Sequence, residues 1–174
     1  VAVTGAKIVL YNVPGRTGLN IAPAALKMIT EIKNVVAVKE ATGDLGRLAD
    51  YLDAVGTERF DFLSGDDFTV VPFISMGGKG VISVLSNIYP EVCVKMVNAA
   101  LSGDFATAAK IQLATNKINH AMFMESNPIP VKEALCMMKK CGSSFRPPLA
   151  NIEEINLTKL ADIIKDFEKI KETL

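Results

Sequence analysis

Lys39 closes an apolar run. Val35, Val36, Ala37 and Val38 precede it without a break, the pattern of a strand buried on both faces. Lysine is almost never fully buried unless something compensates it. An amine held at the edge of an apolar interior loses hydration, which disfavours the ammonium and frees the lone pair for attack on a carbonyl. The plainer alternative is a lysine that runs its head out to solvent or pairs with an acid such as Glu40 or Asp66. Tyr11 ends an earlier apolar run, residues 7–12. Its phenol suits proton transfer, or packing with a hydrogen-bonded tip. Arg16 lies in the Pro/Gly-rich loop "VPGRTG"; its planar fork suits a carboxylate, and an exposed loop arginine is the common alternative. Asp66 and Asp67 follow Ser64–Gly65 and open a helix-like stretch, where N-capping accounts for one of them.

The elements that would position these residues alternate along the chain. Apolar runs at residues 7–12, 35–41, 59–65 and 80–84 read as strands. Helical spacing follows each, at residues 22–32, 44–56, 66–78 and 89–103. Asp44 stands where an N-cap belongs and Gly56 where a helix terminates. Four βα units in succession predict a parallel sheet with helices outside it. Each takes about 20–30 residues, close to the share of one unit in an eight-unit barrel of roughly 250 residues. After Gly103 the strands stop and three helical stretches follow, separated by "ESNPIP" and "GSSFRPPLAN". The expected organisation is a half-barrel over residues 1–103 and a helical segment over 104–174. In parallel α/β folds chemistry collects at the C-terminal ends of strands, which is where Tyr11, Lys39 and the Ser64–Asp67 turn fall.

Composition narrows the class. Formal net charge is zero and tryptophan is absent. With no basic block either, nucleic acid is not an expected partner. The longest apolar runs fall far short of the ~20 residues a membrane helix needs, and no charged n-region with an apolar h-region opens the chain. Cys93, Cys136 and Cys141 are odd in number and lack a C-x-x-C or a histidine cluster; they read as reduced core thiols of a cytoplasmic protein. His120, the only histidine, has no second ligand at metal-binding spacing and reads as structural. "GGKG" lacks the full phosphate-loop spacing, so its glycines are expected to let backbone approach a ligand closely. The seven methionines read as core filler.

"YNVPGRTG", "VAVKEATGD", "SGDD", "GGKGVISV" and "NPIPVKEAL" together resemble the dihydrodipicolinate synthase family, within the pyruvate-dependent class I aldolase superfamily. The resemblance runs from about Lys7 to the C-terminus, with the motifs in the family's order and spacing. It implies a (β/α)₈ barrel of which this chain carries the C-terminal half, four βα units, plus a C-terminal helical extension. By the same resemblance, Lys39 forms an imine with pyruvate, and Tyr11 shuttles protons. Arg16 receives the carboxylate of aspartate semialdehyde, and Ile82 places its backbone carbonyl beside the pyruvate site. No metal or organic cofactor is implied. The product would be 4-hydroxy-tetrahydrodipicolinate, in diaminopimelate and lysine biosynthesis, made by a homo-oligomer, tetramer or dimer. The threonine pair of the tyrosine relay, and a second tyrosine from a neighbouring subunit, would belong to the other half. Arg16 separates this reading from a related aldolase of the N-acetylneuraminate lyase kind. A catalytically silent fragment is the rival from another class.

Overall fold

The computed structural model describes residues 5–174; residues 1–4, at the start of the expected half-barrel, lie outside the described residues. Strands β1 (Ile8–Asn12), β2 (Val35–Glu40), β3 (Asp61–Ser64) and β4 (Gly80–Val81) form one sheet in the order β1-β2-β3-β4. All three pairings are parallel. Helices α2 (Pro23–Thr30), α3 (Leu45–Val55) and α4 (Val70–Ser75) fill the crossovers, and α5 (Pro90–Leu101) follows β4. Consecutive parallel strands with a helix between each pair are the repeating unit of a (β/α) barrel.

Alternation along the strands sorts their side chains. In β1, Ile8 and Leu10 pack with Leu26, Val38, Leu48, Tyr51, Phe62 and Phe73 in the layer beneath α2–α4. Val9 and Tyr11 point the other way and are about half exposed, as the period of 2 requires. The α3 reading holds in detail: the Asp44 carboxylate accepts from Gly46 N at 2.8 Å, and Gly56 ends the helix at φ +75°. Such a cap contributes about 0.5–2 kcal/mol.

A second apolar core joins the last βα unit to the helical segment. It runs from Val70 and Leu85 through Met96, Ile111, Ile118 and Met122 to Leu160 and Phe167. Leu85 lies in a 3-10 turn and the others belong to α4–α7 and to α9 (Glu154–Lys171), with α6 at Phe105–Ala114, α7 at Asn116–Met122 and α8 at Ile129–Met137. The helical extension is therefore packed onto the barrel portion.

Several elements differ from their sequence pattern. The helix expected from Asp66 begins only at Val70, and the strand expected over residues 80–84 stops at Val81. Asp67 explains the second difference. Its buried carboxylate accepts from Val84 N at 2.8 Å and Leu85 N at 3.2 Å, drawing the chain into a 3-10 turn at Leu85–Asn87. Neither Asp66 nor Asp67 N-caps α4, whose N-cap is Thr69. One long helix after Asp104 is instead two, broken at Thr115. "VPGRTG" contains a short helix, α1 (Pro14–Thr17), closed by Gly18 at φ +69°. Gly78 makes room for a side chain: a Cβ there would stand 2.2 Å from the Phe73 ring. Cys93 is core, Cys136 half-buried, and Cys141 exposed, so the core reading fails for Cys141. His120 rests against Phe68, ring centroids 4.7 Å apart. No helix among the described residues is long and apolar enough to cross a membrane.

Candidate active site

The strand ends bring Tyr11 and Lys39 side by side. Parallel register pairs Tyr11 with Lys39, and Lys39 with Leu63. The three share one face of the sheet, away from α2–α4. Lys39 Nζ stands 4.2 Å from the Tyr11 ring centroid, within range of a cation–π contact. Lys39 is half-buried and makes no ion pair among the described residues, so pairing with Glu40 or Asp66 does not account for it. Gly65 makes room for it. A Cβ at Gly65 would stand 2.9 Å from Lys39 Cε, 3.0 Å from Lys39 Cγ and 2.6 Å from Ala41 Cβ.

Beneath the pair, on the helix side, lies a polar network that sequence reasoning did not assign. Asn12 and Glu40 are register partners, 1% and 2% exposed. Asn12 Nδ2 donates to Glu40 Oε2 at 2.6 Å and to Asn20 Oδ1 at 2.8 Å. Ile21 N donates to Asn12 Oδ1 at 3.0 Å, and Thr42 N to Glu40 Oε1 at 2.7 Å. The signal in the sequence was two polar residues, each one position beyond a chemistry-bearing residue at a strand end. Tyr51 borders the network and donates to the Ile21 carbonyl at 2.7 Å. Burial, and then the Glu40 carboxylate, push its phenol up to about 12, partly offset by Arg47.

Backbone ladders continue past each strand. Ala41 N donates to Asn12 O at 3.0 Å, Gly65 N to Glu40 O at 2.6 Å, and Ile82 N to Ser64 O at 2.8 Å. These bonds carry the rim of the site from β1 to Ile82, which is 42% exposed. Arg16, on α1, is exposed and donates through Nη2 to the Asn127 carbonyl at 3.3 Å. That bond joins the "VPGRTG" loop to the "NPIP" turn before α8, two segments far apart in the chain. Arg16 and Ile82 lie at the same end of the sheet as Lys39, without a hydrogen bond to it or to Tyr11 among the described residues. A cavity of about 830 Å³ lies at the opposite end, lined by Lys33, Val35, Arg59 and Phe60 among others; none of the four candidate residues lines it. Among the described residues, no group of three or more His, Cys, Asp or Glu could hold a metal ion.

Parallel strands alternating with helices, with a lysine and a tyrosine in register at their C-terminal ends, define a chain of the (β/α)-barrel class. The comparisons with known proteins agree with that class and narrow it. Residues 1–167 match the model of the dihydrodipicolinate synthetase family, and the chain belongs to that family. It is 48% identical over 162 residues to the 4-hydroxy-tetrahydrodipicolinate synthase of Geobacter sulfurreducens, covering 93% of this chain and 56% of the relative. The crystal structure of dihydrodipicolinate synthase from Aquifex aeolicus superposes with a TM-score of 0.90 at 36% identity, covering 93% of this chain and 55% of that one. The synthase from Methylacidiphilum fumariolicum SolV gives 0.92 at 36% identity, covering 97% and 56%. The chain thus spans about half the length of the relatives it matches.

Proposed function

We propose that these residues form the lysine-bearing portion of a 4-hydroxy-tetrahydrodipicolinate synthase, residues 1–103 as a half-barrel and 104–174 as its helical extension. In this reading Lys39 Nζ attacks the C2 carbonyl of pyruvate. A C–N bond forms, water leaves, and the imine becomes an electron sink. Loss of a methyl proton gives an enamine, whose carbon bonds to the aldehyde of aspartate semialdehyde. The amino group of the adduct then attacks the imine carbon and displaces Lys39, closing the ring. Tyr11 moves protons in these steps, Arg16 takes the aldehyde substrate's carboxylate, and the Ile82 carbonyl borders the pyruvate. The setting would be cytoplasmic, in an oligomer.

The observation that carries the reading is the Lys39 amine 4.2 Å over the Tyr11 ring at the strand ends. A phenol beside an amine is what imine chemistry needs, because a proton must reach the departing hydroxyl. Pyruvate with borohydride should add a stable pyruvyl mass to the peptide holding Lys39, with the strands that close the barrel supplied as a second chain. Lys39→Arg should abolish it, since guanidinium stays protonated. Label on another lysine would overturn the assignment.

The open inner face favours one qualification of this reading. Val9, Tyr11 and Ile82 are 45%, 50% and 42% exposed there. The 174 residues alone are read as a silent fragment that turns over only when the remaining strands cover that face.

A further inference from the structure

We infer that Asn12 and Glu40 are the positioning residues of the site, holding Tyr11 and Lys39 in the register that sets amine over ring; the inference rests on Lys39 being the reactive amine. Consecutive strand residues point to opposite faces. Whatever clamps Asn12 to Glu40 on the helix side therefore clamps Tyr11 and Lys39 on the inner side. The clamp is short, 2.6 Å, and nearly all of it is shielded from water.

Stability alone does not explain this pair. A buried carboxylate with no cation bonded to it carries a desolvation penalty, and an apolar pair of similar volume would hold two strands at least as well. No ion pair to Glu40 exists among the described residues. What a polar pair adds is direction. Asn12 Oδ1 is committed to Ile21 N, which fixes the amide so that its NH₂ faces Glu40. Glu40 Oε1 is committed to Thr42 N, which aims Oε2 at Asn12. The network so ties each strand end to the loop that follows it, residues 20–21 after β1 and Thr42 after β2. A one-residue slip of β1 against β2 would break the Asn12–Glu40 bond and turn Tyr11 or Lys39 to the wrong face.

The test uses the polarity of the bond. Glu40→Gln keeps the volume but leaves one donor facing another, because turning Asn12 over would forfeit Ile21 N and turning Gln over would set its NH₂ against Thr42 N. N12D/E40Q restores a donor–acceptor pair with the direction reversed. On the 174-residue chain, reductive ¹³C-methylation gives each lysine an NMR signal that tolerates an associated state. The Lys39 signal, identified by its loss in Lys39→Arg, is expected upfield under the Tyr11 ring, and Tyr11→Leu should remove that offset. Glu40→Gln should lose the offset and the double variant should regain it. In the barrel completed by a second chain, pyruvate trapping on Lys39 should fall about 10- to 100-fold in Glu40→Gln and recover in the double variant. A folded Glu40→Gln with the wild-type offset, or a folded double variant without it, overturns the inference. If Glu40→Gln does not fold, the double variant carries the test alone; failure of both to fold would make the pair structural only and likewise overturn it. A Lys39 that shows the ring shift but never traps pyruvate would leave the clamp intact and overturn the proposed function instead.

Discussion

Replacing Gly65 by alanine tests the geometry around Lys39 at the one point where the space is already filled. The added Cβ would lie 2.6 Å from Ala41 Cβ, 2.9 Å from Lys39 Cε and 3.0 Å from Lys39 Cγ. Carbon atoms rest about 3.5–4.0 Å apart, so the first contact is short by about 1 Å. The lysine stem can swing away. Ala41 Cβ cannot, because it is bound to the backbone that follows β2. Relief must come from parting the ends of β2 and β3, where Gly65 N donates to Glu40 O at 2.6 Å. Overpacking of this kind costs about 1–3 kcal/mol, and a displaced amine should trap pyruvate about 10- to 100-fold more slowly. Urea unfolding gives the first quantity, through a lower midpoint at unchanged slope. Borohydride trapping at limiting pyruvate, in the barrel completed by a second chain, gives the second. Gly65→Ala with a wild-type midpoint and wild-type trapping would refute the claim that Gly65 clears the path of the lysine. Loss of stability with wild-type trapping would refute only the link to chemistry.

Tyr11→Phe in the completed barrel should lower kcat by roughly 10²–10⁴, whereas Arg16→Ala should mainly raise KM for the aldehyde substrate; steady-state kinetics with each substrate varied separates them, and unchanged aldehyde kinetics in Arg16→Ala would remove its carboxylate role. Burial pushes the Cys93 thiol up from 9.0 to about 11. The unfolded thiol therefore ionises first, so its stabilising effect is complete below about pH 9 and declines as pH rises from there to about 11; Cys93→Ala should flatten that part of a urea-midpoint profile. Expressed alone, the 174 residues should self-associate, because one side of β1 and one side of β4 carry no strand among the described residues and the inner face exposes Val9 and Ile82. Sedimentation reads this directly, and a stable monomer at micromolar concentration would contradict it.

Local pattern and tertiary contact divide what the sequence discloses here. Four strands and their crossovers were legible because apolar period and punctuation are local: Asp44 and Gly56 bound α3 as their types require. Lys39 and Tyr11 were legible as strand-end residues for the same reason. Two of the differences, the early end of β4 and the break at Thr115, answer to Asp67, which no local rule assigns. Its carboxylate takes Val84 N and Leu85 N and shortens β4. Its carbonyl accepts from Gln112 Nε2 at 2.7 Å and Asn119 Nδ2 at 3.2 Å, on the two helices that meet at the Thr115 break. A residue whose partners lie 17 to 52 positions away leaves no periodic trace.

The clamp beneath the site was hidden in the same way, yet its logic is simple once the register is known. Asn12 and Glu40 are 28 residues apart in the chain. Parallel pairing makes them neighbours, and the same pairing places Tyr11 beside Lys39 one position earlier. The roles proposed for Lys39 and Tyr11 require a fixed separation, and neither side chain can enforce it from the open inner face, where Tyr11 is 50% exposed. The constraint has to come from the covered side of the sheet. A directional hydrogen bond between buried polar groups supplies it, because unlike apolar contact it is lost when the strands slide. The proposed chemistry of one face would thus be set by polar residues on the other, with Glu40 next to Lys39 in the sequence and on the opposite face because a strand alternates its side chains.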